Sequence, residues 1–270
     1  MEFHQKGFTL QKHTNISWFP LTWRIALIYL MVITLSEAFT TLIEPRVGLG
    51  LHGLVLLALI LHAALVNQYI TRSFLLALSL VPSIRLLNLA MPLQLFPQIY
   101  WYVIVGIPLF ITTFYVARIG KINRKMIGLT GQKLPFQVLI GLTGIGLGYL
   151  EYKILHPQPL IAELRLELVW LPALILMIFT GLLEEIIFRG LLQYNSERIL
   201  GRYGLLYSSM VFTVLHLGYQ SWLDLAFVFV VAIFFAWVVQ RSGSILGVTL
   251  AHGLINITLF LVFPFLLVAR

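Results

Sequence analysis

Three apolar stretches of this chain carry side chains whose types and spacing could do chemistry. Residues 168–192 read LVWLPALILMIFTGLLEEIIFRGLL, and Glu184, Glu185 and Arg189 stand there in otherwise apolar surroundings. Residues 204–217 carry Phe212 and His216. Residues 245–267 carry His252 and Asn256, four apart and hence on one helical face. One Asp, Lys or Arg at the centre of a membrane helix costs roughly 2.5–3.5 kcal/mol. Such groups therefore mark internal pairing or function. Glu185 and Arg189 are i,i+4 neighbours, so an ion pair accounts for both. Glu184 points about 100° away along the helix and has no local partner.

A carboxylate and an imidazole together can take a proton from water for attack on a carbonyl. A carboxyl group in apolar surroundings is tuned towards the range that a general base needs near neutral pH. A second imidazole and an amide can donate to the oxyanion of a tetrahedral intermediate. Alternatively, Glu and two His are ligands that zinc accepts, with a position left for water. Both routes lead to amide hydrolysis inside a membrane. Rival chemistries find no support in the sequence. It has no H-E-x-x-H, no G-x-S-x-G and no Gly-rich phosphate motif. The absence of cysteine excludes a thiol nucleophile, a Cys-ligated zinc and a disulfide scaffold. Asp224 stands near the end of an apolar run, which leaves no aspartyl dyad.

The elements that must position these groups are membrane helices. Of 270 residues, 60% are hydrophobic and 10% charged, against about 45–50% and 25% in soluble domains. That excludes a soluble single domain, a disordered tail and a nucleic-acid binder. The net charge of +8 is read instead as loops held at an anionic membrane face. Apolar runs fall at about 21–43, 48–68, 73–91, 99–118, 136–155, 168–192, 204–217, 222–240 and 245–267. A crossing helix needs about 20 residues, and only helices satisfy the backbone of isolated spans. Two runs are weaker. Run 73–91 contains Pro82, Arg85 and Asn88, and run 204–217 is short.

With the N-terminus, including Lys6 and Lys12, placed inside, inner segments hold twelve Lys and Arg residues. Outer ones hold only Arg46, Lys153, Arg165 and Arg270. This satisfies the positive-inside rule. The expected fold is therefore an all-α, multi-pass transmembrane bundle of about eight to nine segments with a cytoplasmic N-terminus. No cleavable signal is expected in residues 1–20. The basic loop 118–133 (RIGKINRKMIGLTGQK) reads as topogenic and divides the chain. Residues 1–135 form N-terminal helices and a basic cytoplasmic loop, and residues 136–270 form the half that carries the polar set.

At 1.5 Å per residue from the inner ends of their runs, His252 lies about 10 Å deep, Glu184 about 12 Å, Asn256 about 16 Å and His216 about 18 Å. Similar depths on three segments predict one cavity, open to the inner side. Among the other polar residues, Glu37 and Arg85 are expected to pair between spans. His52 and His62 are read as core or interface residues, and His4, His13 and His156 lie in solvated segments.

Glu184-Glu185-x-x-x-Arg189, Phe212-x-x-x-His216 and His252-x-x-x-Asn256, in that order, resemble the three motifs of the CPBP family. These are the CAAX-processing and bacteriocin-processing intramembrane proteases, also called the Abi family. Phe188-Arg189-Gly190 and the Ser242-Gly243-Ser244-Ile245 lead into Ala251-His252-Gly253 fit as well. The resemblance covers about 168–260, roughly a third of the chain, and makes 136–270 a CPBP-like protease core.

It implies that Glu184 activates water with His216, that His252 and Asn256 stabilise the oxyanion, and that Glu185, Arg189 and Phe212 support them. Family mechanisms are glutamate-type or metallo-type. Glu184, His216 and His252 would be the ligands if a divalent metal such as zinc is used, and otherwise no cofactor is implied. The implied partners are the lipid bilayer and a membrane-bound or lipidated, CAAX-type protein or peptide substrate. Two rivals stand beside this reading. One is a non-catalytic scaffold or immunity protein of the same family. The other is an ion-coupled transporter, which would show two related halves with interrupted helices in matching positions. No such symmetry is visible, and the polar set is confined to the C-terminal third.

Overall fold

The computed structural model describes residues 21–267. His4, Lys6, Lys12, His13, Arg270 and the signal expectation for residues 1–20 lie outside the described residues. Within them all regular structure is helical. We number the helices α1 (Thr22–Ile43), α2 (Pro45–Leu65), α3 (Tyr69–Ala90), α4 (Gln98–Ile119), α5 (Leu134–Leu155), α6 (residues 166–200), α7 (residues 204–219), α8 (Trp222–Ser242) and α9 (Leu246–Leu266).

Eight stretches are long and apolar enough to cross a membrane. Seven are single helices of 21 or 22 residues, and the eighth, Leu166–Tyr219, has 54. As one rod that stretch would run about 81 Å, against a hydrocarbon core of about 30 Å. Gly201 divides it. At φ +58° it adopts a left-handed conformation that glycine tolerates best. The chain reverses there, and Gly204 sits hard against the backbone of Ser196 and Glu197. The protein is thus an all-α, multi-pass integral membrane protein.

The basic residues collect at one end. The linker between α4 and α5 docks on the α8–α9 turn. Ile245 N donates to Gly128 O at 2.9 Å, Thr130 Oγ1 to Gly243 O at 3.0 Å, Ser244 Oγ to Thr130 O at 2.7 Å and Lys133 Nζ to Arg241 O at 3.2 Å. Tyr69, at the start of α3, bonds the Gly120 carbonyl and lies under the Arg198 guanidinium.

One boundary differs from the sequence reading and changes the depth arithmetic. The helix α6 continues to Leu200, through Tyr194, Asn195, Ser196, Glu197 and Arg198. Those polar residues gave no apolar signal. Glu184 therefore lies sixteen residues, about 24 Å, from the end of its helix rather than about 12 Å. It still meets His252, six residues into α9, at 3.9 Å.

Helices in lipid gain little from apolar burial against each other, so close packing of small residues takes over. Gly144 on α5 abuts Ala251 on α9, and a Cβ there would stand 2.8 Å from the Ala251 Cα and closer still to its carbonyl. Gly181 on α6 meets the other side of α9. A Cβ on it would lie 2.9 Å from both Thr249 O and Gly253 N. The helix α9 is thus wedged between α5 and α6, which brings His252 and Asn256 to the glutamates. Gly144→Ala is expected to push α9 outwards and destabilise the fold by about 1–3 kcal/mol, the usual cost of overpacking. Thermal unfolding in detergent reads the effect, and an unchanged midpoint would show that this contact has slack.

The N-terminal helices have their own polar core. Arg85 Nε donates to Glu37 Oε2 at 2.8 Å, the pair expected from the sequence. His52 is fully buried, with Nε2 3.3 Å from the same Glu37 oxygen. The His62 ring bonds the Tyr29 hydroxyl at 3.1 Å. The apolar core joins these helices to α6 and α7. Phe74 on α3 packs against Tyr207 on α7, with ring centroids 5.6 Å apart.

Candidate active site

Two wide π turns, Met177–Leu182 and Ile186–Gln193, flank the short α segment Leu183–Glu185. Such widened turns recur at functional sites because they re-aim side chains without ending the helix. Here they set the two adjacent acids in different surroundings. The Glu185 side chain is fully buried, and its Oε1 accepts from Arg189 Nη1 and from His252 Nδ1, each at 2.8 Å. The Glu184 side chain is 31% exposed, and its Oε2 stands 3.9 Å from His252 Nε2. That is beyond a direct hydrogen bond, yet one oxygen atom of a water or substrate can touch both groups.

The Arg189 guanidinium is held from above by aromatic faces, 4.4 Å from the centre of the Phe212 ring and 5.6 Å from that of Phe235. This is cation–π geometry. Phe212 also packs edge-on to His252, with centroids at 5.9 Å, and lies 4.7 Å from the His216 ring. It is the wedge that separates the two histidines.

Hydrogen bonds fix both imidazoles. His216 Nδ1 lies 3.0 Å from the Phe212 carbonyl oxygen. A carbonyl only accepts, so Nδ1 carries a proton, and in the neutral ring Nε2 is a free acceptor. Glu185 holds His252 in the same sense. Donation from His252 Nε2 to a substrate therefore requires the doubly protonated ring. Asn256 Nδ2 donates to Thr180 Oγ1 at 2.8 Å, which occupies one of its two N–H groups.

Glu184, His216, His252 and Asn256 line one cavity of about 90 Å³, with Arg189 and Phe212 in its wall. That is room for several waters. A neighbouring groove of about 540 Å³ shares Tyr102, Glu184 and Tyr219 with it and is lined also by Trp101, Leu109 and Phe179. The groove reaches Leu93 and Gln98, at the α3–α4 linker. The sequence reading opened the cavity towards the basic end. The groove runs to the α3–α4 linker, away from the α4–α5 linker docked on the α8–α9 turn.

Sequence reasoning missed three titratable cavity residues, Tyr102, Glu151 and Tyr219. Glu151 is 7% exposed and lies within the α5 run, so a search for acids inside apolar runs finds it. The tyrosines leave no such trace. Glu184 stands 3.9 Å from His252 and shares the cavity with His216.

The donor set was tested against the zinc alternative. Among the described residues no three His, Asp or Glu side chains converge to hold one ion. Glu184, His216 and His252 thus do not fit a metal centre as they stand.

Acid, imidazole and amide groups thus surround one internal cavity of a polytopic helical bundle. Residues 166–258, about a third of the chain, match the family model described as Type II CAAX prenyl endopeptidase Rce1-like, which makes this segment similar to the CPBP family. All seven motif residues fall inside it. No curated protein and no solved structure matches the chain.

Proposed function

We propose that the protein is an intramembrane endopeptidase that hydrolyses a peptide bond of a membrane-bound or lipidated, CAAX-type protein with water activated in the cavity. Residues 136–270 carry the protease core, and helices α1–α4 brace it. The observation that carries this reading is the division of labour between adjacent acids. Glu185 is engaged by Arg189 and His252, while Glu184 is turned into a cavity that two imidazoles and an amide share.

In the reaction, water binds between Glu184 and the free Nε2 of His216. Glu184 takes its proton as the hydroxide oxygen attacks the scissile carbonyl. Negative charge grows on the carbonyl oxygen, where His252 Nε2–H and the second Asn256 N–H stabilise it. Glu184 then returns the proton to the departing amine. Glu185 holds the imidazolium form of His252 in place, and Arg189 offsets the buried negative charge of Glu185. The side of the groove formed by Trp101, Leu109, Phe179 and Leu183 offers a surface for a lipid chain. The distribution of Lys and Arg puts the N-terminus and the basic end in the cytoplasm, and the groove then reaches the cavity from the opposite leaflet.

Purified protein in detergent is expected to cleave a prenylated peptide faster than the same peptide without its lipid, and EDTA is expected to leave the rate unchanged. Complete inhibition by EDTA with rescue by zinc would replace the water-activating role of Glu184 with a ligand role. Equal rates on both peptides would remove the groove from the account.

A further inference from the structure

The helix α3 lies outside the family segment, yet it reaches the site. Arg85 Nε donates to Glu37 Oε2 at 2.8 Å, and its Nη2 lies 2.5 Å from Glu37 Oε1. One hydrogen bond and a close ion-pair contact thus hold the guanidinium on Glu37. The same Nη2 donates to the carbonyl oxygen of Leu215. Glu37 is itself fully buried and steadied by His52. The pair would suffice to tie α1 to α3, but the contact with Leu215 goes further, to the tightened last turn of α7, Leu215–Tyr219. That turn carries His216 and Tyr219 into the cavity. The carbonyl held by Arg85 belongs to the peptide joined directly to the His216 Cα, so any rotation of that peptide swings the imidazole.

We propose that Arg85, clamped by Glu37, is a positioning residue of the active site: it fixes the Leu215–His216 peptide and thereby aims His216 Nε2 at the water beside Glu184. The proposal rests on the peptidase reading for its effect on rate, but not for its effect on the ring. Lysine cannot replace the arginine. It keeps the charge and lacks the rigid fork that spans Glu37 and the carbonyl together.

Two variants test this, Arg85→Lys and the paired Glu37→Gln/Arg85→Met. The second removes both charges, so no uncompensated one is left buried. Protein labelled with ¹⁵N-histidine is examined by NMR, with the His216 signal identified by its loss in His216→Gln and the His252 signal by its loss in His252→Gln. In both variants the His216 signal is expected to shift or split while that of His252 stays in place. On a prenylated peptide, kcat is expected to fall by about 10²-fold, the scale of a misplaced catalytic group, with KM unchanged. Should the paired variant fail to fold, Arg85→Lys carries the test alone. A His216 signal identical to wild type in the folded variants would overturn the proposal, even if cleavage by the wild type upheld the peptidase reading. A His216 signal that moves in a protein that cleaves nothing would uphold the positioning role and overturn the peptidase reading.

Discussion

Arg189→Ala is expected to lose most of its folded protein before it loses any chemistry. Arg189 is buried, donates to Glu185 at 2.8 Å and is capped by the faces of Phe212 and Phe235. Truncation leaves the Glu185 carboxylate buried without its cation, at a cost of about 3–5 kcal/mol. Most membrane proteins have little stability to spare, so accumulation in the membrane should drop sharply, and thermal unfolding of what remains should come at lower temperature. Glu185→Gln is expected to act in the same direction and to release His252 as well. Normal accumulation of Arg189→Ala together with lost cleavage would move the arginine from support to catalysis.

The second large effect separates the two adjacent acids. Glu184→Gln replaces a carboxyl that has no ion-pair partner closer than 3.9 Å with an amide of almost the same shape. Folding should survive. Cleavage should fall by about 10²–10⁴-fold, the usual contribution of a general base. The informative quantity is the contrast. At Glu184 activity goes and the unfolding midpoint stays, whereas at Glu185 the midpoint goes first. If both variants lose stability equally and retain equal activity, the division of roles between them is wrong.

The polar set was legible in the sequence for an energetic reason. Ionisable groups inside apolar runs are expensive, so Glu184, Glu185, Arg189, His216 and His252 stand out against their background. The pairing of Glu185 with Arg189 was legible too, because helical spacing alone fixes i,i+4 neighbours. What links the helices was not. The hydrogen bond from His252 to Glu185 joins residues 67 apart, and that from Arg85 to Leu215 joins residues 130 apart. No periodicity encodes either. The approach of His252 to Glu184 depends on how far α9 sinks between α5 and α6, which Gly144 and Gly181 decide by what they lack. The length of α6 was hidden because its last turns are polar. That one boundary carried the depth of Glu184.

The central claim is that water activated by Glu184 in this cavity breaks a peptide bond. Wild-type and Glu184→Gln proteins, purified side by side and matched for unfolding temperature, would each be incubated with a prenylated peptide in H₂¹⁸O, and the products weighed by mass spectrometry. The account predicts that the wild type makes a single cut, with ¹⁸O in the new carboxylate, and that Glu184→Gln makes essentially none. Cleavage by Glu184→Gln at the wild-type rate, or no cleavage by a folded wild type across membrane-anchored peptides, would contradict it.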